Sequence, residues 1–244
     1  MLDDRFPLRE VVQSPGSDLD PTAWPSTLPA VSQLLRDGLE LGAATVLIGE
    51  NGSGKSTLVE AIARAYGLSA KGGSTGARLS TRASESELWQ HVTLVRNAGG
   101  TRRGYFLRGE TAHGLFSYLE NNPSGSFGPP EPVFHEMSHG ESFISLVDVK
   151  FQGDGLWVLD EPEAALSFRG CLRLVQTLSE VLKDGRSQVI LSTHSPVLAA
   201  LPGATILEVG EWGFRPTSWA ESELVMYWRA FLNSPERHLH PPVR

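Results

Sequence analysis

Two clusters in this 244-residue chain have the residue types and spacing that phosphate chemistry requires. The first, Gly49-Glu50-Asn51-Gly52-Ser53-Gly54-Lys55-Ser56-Thr57, satisfies the pattern G-x-x-x-x-G-K-[ST]. Its glycines let the backbone curl until successive N–H groups point inward at phosphate oxygens, and a helix beginning near Lys55 adds the positive end of its dipole. Lys55 is expected to bridge β- and γ-phosphates, and Ser56 to offer its hydroxyl to Mg²⁺, a hard cation that takes oxygen ligands and keeps several waters. The second cluster is Asp160-Glu161, delivered at the end of the apolar run Leu156-Trp157-Val158-Leu159. Successive strand residues face opposite ways, so Asp160 can face the metal shell while Glu161 polarises an attacking water, as phosphoryl transfer requires. An isolated Asp-Glu pair before a proline reads as a solvated turn; one that follows a phosphate loop reads as the other half of a reaction centre. Glu163 reads as surface charge.

Elements with the right periodicity surround both clusters. Ala44-Thr45-Val46-Leu47-Ile48 is a short β-branched run ending at Gly49, and Lys55 to Tyr66 follows with helix formers and stops at Gly67. Strand, glycine loop and helix therefore occur in that order. Further on come a helix from Gly140 to Lys150, a strand at Leu156–Leu159, a helix from Arg169 to Lys183, strands at Gln188–Leu191 and Ala204–Val209, and a closing helix from Glu221 to Leu232. This alternation implies an α/β fold with a mostly parallel, buried sheet flanked by helices. Cys171, Leu174, Val175, Leu178, Val181 and Leu182 form one apolar helix face. The closing helix carries a stripe of Leu224, Val225, Trp228, Phe231 and Leu232, for which packing on its own sheet is the default. Strands at His91–Val95 and Arg103–Leu107 are expected to pair as a small antiparallel hairpin across Gly99-Gly100.

The whole chain, 1–244, reads as a single domain. Pro7, Pro15, Pro21, Pro25 and Pro29 make residues 1–30 an irregular lead-in, residues 69–86 are rich in Ser, Gly and Thr and read as a flexible loop, and 110–150 reads as a helical subdomain. With 40% hydrophobic residues the chain can bury one substantial core. It has no run of roughly 20 apolar residues and no leader-like start, and Cys171 is its only cysteine. A soluble protein in a reducing cytoplasm is therefore expected. The formal charge of −7 argues against nonspecific coating of DNA or anionic membrane.

Two more segments complete a pattern. Met137-Ser138-His139-Gly140-Glu141 precedes Asp160, and Ser192-Thr193-His194-Ser195-Pro196 ends the next strand. Phosphate loop, Ser138 segment, acidic strand and histidine, in that order from Gly49 to His194, resemble the ATP-binding-cassette ATPases, a class of P-loop NTPase. The resemblance is closest to the single-domain ATPases grouped with soluble cassette enzymes of DNA repair, chromosome maintenance and phage defence, although their long coiled coils are absent here. It implies that the signature segment of one subunit closes on the ATP held by the other, with Ser138 and Gly140 at the γ-phosphate. On the same resemblance Asp160 is a magnesium ligand, Glu161 the base, and His194 a γ-phosphate contact. Trp24 lies near where such enzymes stack an aromatic ring on adenine; a simple packing role is the alternative.

The sequence departs from the transporter form of the family. His139 and Glu141 stand where the signature has glycine and glutamine, and glutamate there is more familiar from soluble relatives. Ser167 stands where an aspartate is common. No glutamine occupies the usual place after the strand preceding the signature: Gln90 lies at the start of a strand, and Glu110 is the other candidate for approaching the metal. Arg96, Arg102, Arg103 and Arg108 read either as a solvated face or as phosphate contacts. The expected function is a soluble ATPase that uses ATP and Mg²⁺ and forms a homodimer when ATP is bound, switching a nucleic-acid or protein partner. The alternative is the nucleotide-binding subunit of a membrane transporter, with a membrane permease as partner.

Overall fold

A computed structural model of the chain describes residues 6–69, 73–74, 86–121 and 134–239. From the amino terminus the chain runs through β1 (Leu8–Gln13), α1 (Pro29–Asp37), β2 (Leu39–Glu40), β3 (Ala44–Ile48), α2 (Lys55–Tyr66) and β4 (Gly73–Ser74). It continues with β5 (Val92–Arg96), β6 (Gly104–Arg108), α3 (Ala112–Asn121), α4 (His139–Lys150), β7 (Leu156–Asp160) and α5 (Phe168–Val181). The carboxyl-terminal part holds β8 (Gln188–Thr193), β9 (Thr205–Gly210), β10 (Gly213–Thr217), α6 (Glu223–Asn233) and α7 (Pro235–Leu239).

The main sheet has the order β10-β9-β3-β8-β7-β6-β4. Its five inner strands, β9, β3, β8, β7 and β6, are mutually parallel, and the edge strands β10 and β4 pair antiparallel. Side chains alternate between two apolar clusters, as a strand period of two demands. Val46, Tyr105, Leu107, Trp157, Leu159, Val189 and Leu191 face α3, α4 and α5, whereas Leu47, Phe106, Leu156, Val158 and Ile190 face α1 and α2. Both faces are covered, which is why β3, β7 and β8 are buried along their whole length. Each such Leu, Ile or Val contributes about 1.5–3 kcal/mol.

The amino-terminal segment and the expected hairpin differ from their sequence readings. Residues 8–13 form a strand because the prolines flank that stretch without interrupting it, and Leu8 and Val11 are fully buried. β1 is the centre of a three-stranded antiparallel sheet ordered β2-β1-β5. β5 and β6 do not pair: β5 lies against β1, and β6 lies parallel to β7. Gly99-Gly100 therefore carries the chain from one sheet to the other. An antiparallel hairpin does occur, but it is formed by β9 and β10. Gln188 ties the two sheets together: its fully buried amide accepts from Leu8 N–H at 2.9 Å and donates to the carbonyls of Leu8 and Gly42 at 2.7 and 2.8 Å. Most of the 69–86 segment lies outside the described residues, as do residues 122–133 within the 110–150 segment. The described parts of 110–150, α3 and α4, pack into the same apolar cluster as the main sheet.

Candidate functional site

Four adjacent parallel strands, β3, β8, β7 and β6, bring the motif residues to one edge of the sheet. The carboxyl ends of β3, β7 and β8 lead directly into Gly49, Asp160-Glu161 and His194, and ligands of open α/β sheets bind at this edge. Register places Ser192, Asp160 and Arg108 in one row across three strands. Asp160 is almost fully buried; its Oδ1 accepts from Ser192 Oγ and its Oδ2 from Arg108 Nε at 2.9 Å.

The loop from Gly49 to Gly54 departs from β3 under tight constraint. Gly49 has φ 146°, and a Cβ there would stand 2.1 Å from the carbonyl oxygen of Val209, so only glycine fits. Lys55 begins α2, with its side chain buried and folded over the loop: Nζ donates to the carbonyls of Gly49 and Glu50 at 2.9 and 2.8 Å. Burial lowers its pKa below the ordinary lysine value, partly offset by the carboxylates of Glu161, Asp160 and Glu163. Ser53 Oγ is buried within the loop and has no hydrogen-bond partner. A loop that curls around a cationic amine and holds an unsatisfied hydroxyl suits an anionic group, because each buried polar atom needs a partner.

Glu161 turns the chain out of β7 in the left-handed region, φ 47° and ψ 53°, and is the only non-glycine with positive φ among the described residues. Such a conformation costs roughly 1–2 kcal/mol and is held by neighbours. Here the Glu161 N–H donates to Ser192 O at 3.0 Å, and its carbonyl accepts from Ala164 N–H at 3.1 Å. Gly109 lies so close that a Cβ would be 2.1 Å from that same carbonyl. The Glu161 carboxylate meets His194, Oε1 to Nε2 at 3.2 Å.

Glu163, expected as surface charge, is instead a clamp. Its Oε1 accepts from Thr193 Oγ1 at 2.8 Å and from the backbone N–H of His194, which ties the turn after β7 to the end of β8. The sequence carried no signal for this, since the pairing partner lies thirty residues away.

A cleft of about 390 Å³ opens beside the loop, and its walls include Asn51, Ser56, Thr57, Asp160, Glu161 and Trp24. Trp24 is 55% exposed, so it is a wall of this cleft and not a core residue. Glu110 and Arg108 line the same cleft, whereas Gln90 sits in a 3₁₀ turn before β5. Of the arginine group, Arg108 is therefore in the site, while Arg96 stacks over Tyr66 and Arg103 over Trp157. Among the described residues no three His, Cys, Asp or Glu side chains converge as a metal cage. The hydroxyl of Ser56 and the carboxylate of Asp160 line one cleft and suit Mg²⁺, which is commonly held by one or two carboxylates plus substrate phosphates and water. Ser56 and Asp160 would hold it here.

The signature segment lies elsewhere. Ser138 caps α4: its Oγ accepts from Glu141 N–H at 3.3 Å, and Glu141 Oε2 accepts from Ser138 N–H and Oγ at 2.9 and 2.7 Å. Those bonds hold the Glu141 carboxyl below the usual glutamate range. Ser138 and Glu141 are exposed, Gly140 packs near Ala165 and Leu166, and none of the three lines the cleft beside the phosphate loop. Ser167, at the position where an aspartate is common, caps α5 by accepting from Gly170 N–H at 3.2 Å. This cap is a role serine fills as well as aspartate.

A second cleft, of about 600 Å³, lies on the outer side of the phosphate loop, where Gly49–Ser53 and His194 meet Trp212, Tyr227 and Trp228. The stripe on α6 is packed only at its amino-terminal end, where Val225 is buried and Leu224 lies against the core cluster. Of its residues only Val225 is buried, and Trp228, Phe231 and Leu232 are exposed.

Comparison with known proteins matches residues 35–164, more than half of the chain, to the family described as ABC transporter. Among solved structures of similar fold are the SMC head domain from Thermotoga maritima and a metal-chelate type ABC transporter in an inward-facing conformation. The first is 16% identical, with a TM-score of 0.42 over 74% of this chain and 93% of that one. The second is 13% identical, with a TM-score of 0.48 over 91% of this chain and 88% of that one. At such scores neither bears on what this chain does. No curated protein matches it.

Proposed function

Because this chain belongs to the ABC transporter family and is an ATP-hydrolysing ABC-type ATPase, we propose that it hydrolyses Mg-ATP between two copies of itself and that the ATP-bound dimer is a switch acting on a partner. The observation that carries this reading is the separation of Ser138 from the phosphate loop: one chain offers Ser56, Asp160 and Glu161 around one cleft, with Lys55 folded over the loop beside it and His194 against Glu161, and its exposed Ser138 helix terminus lines no part of that cleft. Two positive dipole ends, those of α2 and of a second chain's α4, would then face one triphosphate.

In this reading the curled loop of Gly49, Glu50, Asn51, Gly52, Ser53 and Gly54 binds the phosphates through backbone N–H groups, with Lys55 and Thr57 at the start of α2. Trp24 offers a ring to the adenine. Lys55 leaves the carbonyls of Gly49 and Glu50 for the phosphate oxygens, since a buried ammonium gains most from a full anion. Mg²⁺, when bound by Ser56 and Asp160, supplies charge neutralisation across the phosphates. Glu161 takes the proton of the attacking water, and His194 orients its carboxylate. Glu163 positions His194 by fixing the backbone at the end of β8. The setting is read as cytoplasmic. With a formal charge of −7 and an aromatic exposed face on α6, a protein surface is favoured over a nucleic-acid backbone as the partner. Coupling to a membrane permease is the competing reading. Among the described residues no helix is long and apolar enough to cross a membrane.

Glu161→Gln should bind ATP, lose hydrolysis and accumulate as a dimer by light scattering in Mg-ATP. Ser138→Arg should bind ATP with unchanged affinity yet neither dimerise nor hydrolyse. A monomeric Glu161→Gln protein at saturating Mg-ATP, or full turnover in Ser138→Arg, would overturn the proposal. Membrane fractionation of the trapped Glu161→Gln form from its native host separates the two partner readings, since a permease partner would carry it into the membrane pellet.

A further inference from the structure

Both oxygens of the proposed metal carboxylate already carry a protein donor. Ser192 Oγ bonds Oδ1 of Asp160, and Arg108 Nε bonds Oδ2 at 2.9 Å. Arg108 ends β6 in register with Asp160, and its Nη2 reaches a second carboxylate, Glu60 Oε2, at 2.8 Å. Glu60 lies on α2 one turn beyond Ser56, so the guanidinium bridges the phosphate-loop helix and the strand that carries Asp160. All three side chains are largely buried, with exposures of 18% for Arg108, 11% for Glu60 and 4% for Asp160. The guanidinium lines the same cleft as Ser56 and Glu161.

We propose that Arg108 is a resident competitor of the divalent cation: it occupies the Asp160 carboxylate in the metal-free protein and sets how strongly nucleotide binding depends on metal, while Glu60 shares the guanidinium with Asp160 and so weakens its hold on that carboxylate. The inference rests on the reading of Asp160 as the metal carboxylate. A cation entering the Ser56–Asp160 position meets a fixed positive charge on one of its own ligands, and like charges in a partly buried site repel with little screening. The guanidinium does not relieve this by losing its proton. A guanidinium stays protonated throughout the working range. The same charge stands close enough to the loop to favour triphosphate without metal. Arg108 is thus a positioning residue that acts through Asp160 and reduces the gap between metal-free and metal-loaded nucleotide affinity.

The test is the ratio of the dissociation constants of a fluorescent ATP analogue in EDTA and in saturating Mg²⁺, measured on the full chain without reference to turnover. Arg108→Gln should raise that ratio about ten-fold or more, because repulsion of the metal and attraction of bare phosphate are removed together. Glu60→Gln should lower it, because Arg108 then rests on Asp160 alone. A merely structural role would move both ratios the same way, and that result, or an unchanged ratio in Arg108→Gln, overturns the proposal. If Arg108→Gln does not give a cooperative thermal melt, Glu60→Gln decides alone: an unchanged or raised ratio overturns the proposal. Asp160→Asn distinguishes this failure from that of the underlying reading. If its ratio equals that of the wild type, Asp160 is not the metal carboxylate; if it collapses while Arg108→Gln is unchanged, only the competitor role is lost.

Discussion

At the scale of single residues, the site is organised around buried charges held against backbone carbonyls and against one another. Lys55 is buried against backbone carbonyls, and burial depresses its pKa below the ordinary 10.5. The sign of the consequence follows from linkage. Between the depressed folded value and 10.5 the unfolded chain binds more protons than the folded one, so this group's destabilising cost is full at lower pH and fades as pH rises through that window. The stability of the nucleotide-free wild type, measured by urea denaturation, should therefore rise relative to Lys55→Met as pH increases through that window. Bound ATP should flatten the difference by supplying the missing anion. A difference that is flat, or that falls with pH, in the nucleotide-free protein would contradict the buried-cation reading. Glu161 belongs to the same scale: the carboxylate proposed as the base sits on a strained left-handed turn, held by Ser192 O, Ala164 N–H and the close approach of Gly109.

At the scale of elements, four neighbouring parallel strands set the geometry, and Gln188 fastens the amino-terminal sheet to them. Removing that amide in Gln188→Ala takes its partner from the buried Leu8 N–H and the Leu8 carbonyl and from the part-buried Gly42 carbonyl. At about 1–3 kcal/mol for an orphaned buried group, partly relieved by relaxation, the variant should lose about 2–4 kcal/mol of unfolding free energy. A loss below about 1 kcal/mol would show that the tie is dispensable. The strands and helices that hold the chemistry were legible because local signals agree: apolar runs with period two end at motif residues, and the 3.6-residue repeat of α5 buries Cys171, Leu174 and Leu178. What was not legible depends on distant partners. β1 looks irregular among its prolines because its pairing with β5 is formed across the chain. The Gly99-Gly100 turn resembles a hairpin because sequence does not reveal that β6 joins β7. Glu163 reads as a solvated charge, and Arg108 as either a solvated face or a phosphate contact, because their partners lie far off in sequence.

At the scale of the whole molecule, the proposed two-copy site would draw on two separate parts of the surface. The phosphate loop, the acidic strand end and His194 share one edge of the sheet, while the Ser138 cap of α4 faces outward with Glu141 bound to its own hydroxyl. The aromatic face of α6 borders the loop's outer side. Self-association that places Ser138 of one copy over the loop of another would be isologous and closed, as a two-fold dimer requires. The most direct test is turnover per chain as the protein is diluted in saturating Mg-ATP, with molecular mass followed by light scattering on the same samples. The expected result is a rate per chain that falls together with the dimer fraction; a constant rate per chain at dilutions where only single chains scatter would contradict the two-copy site.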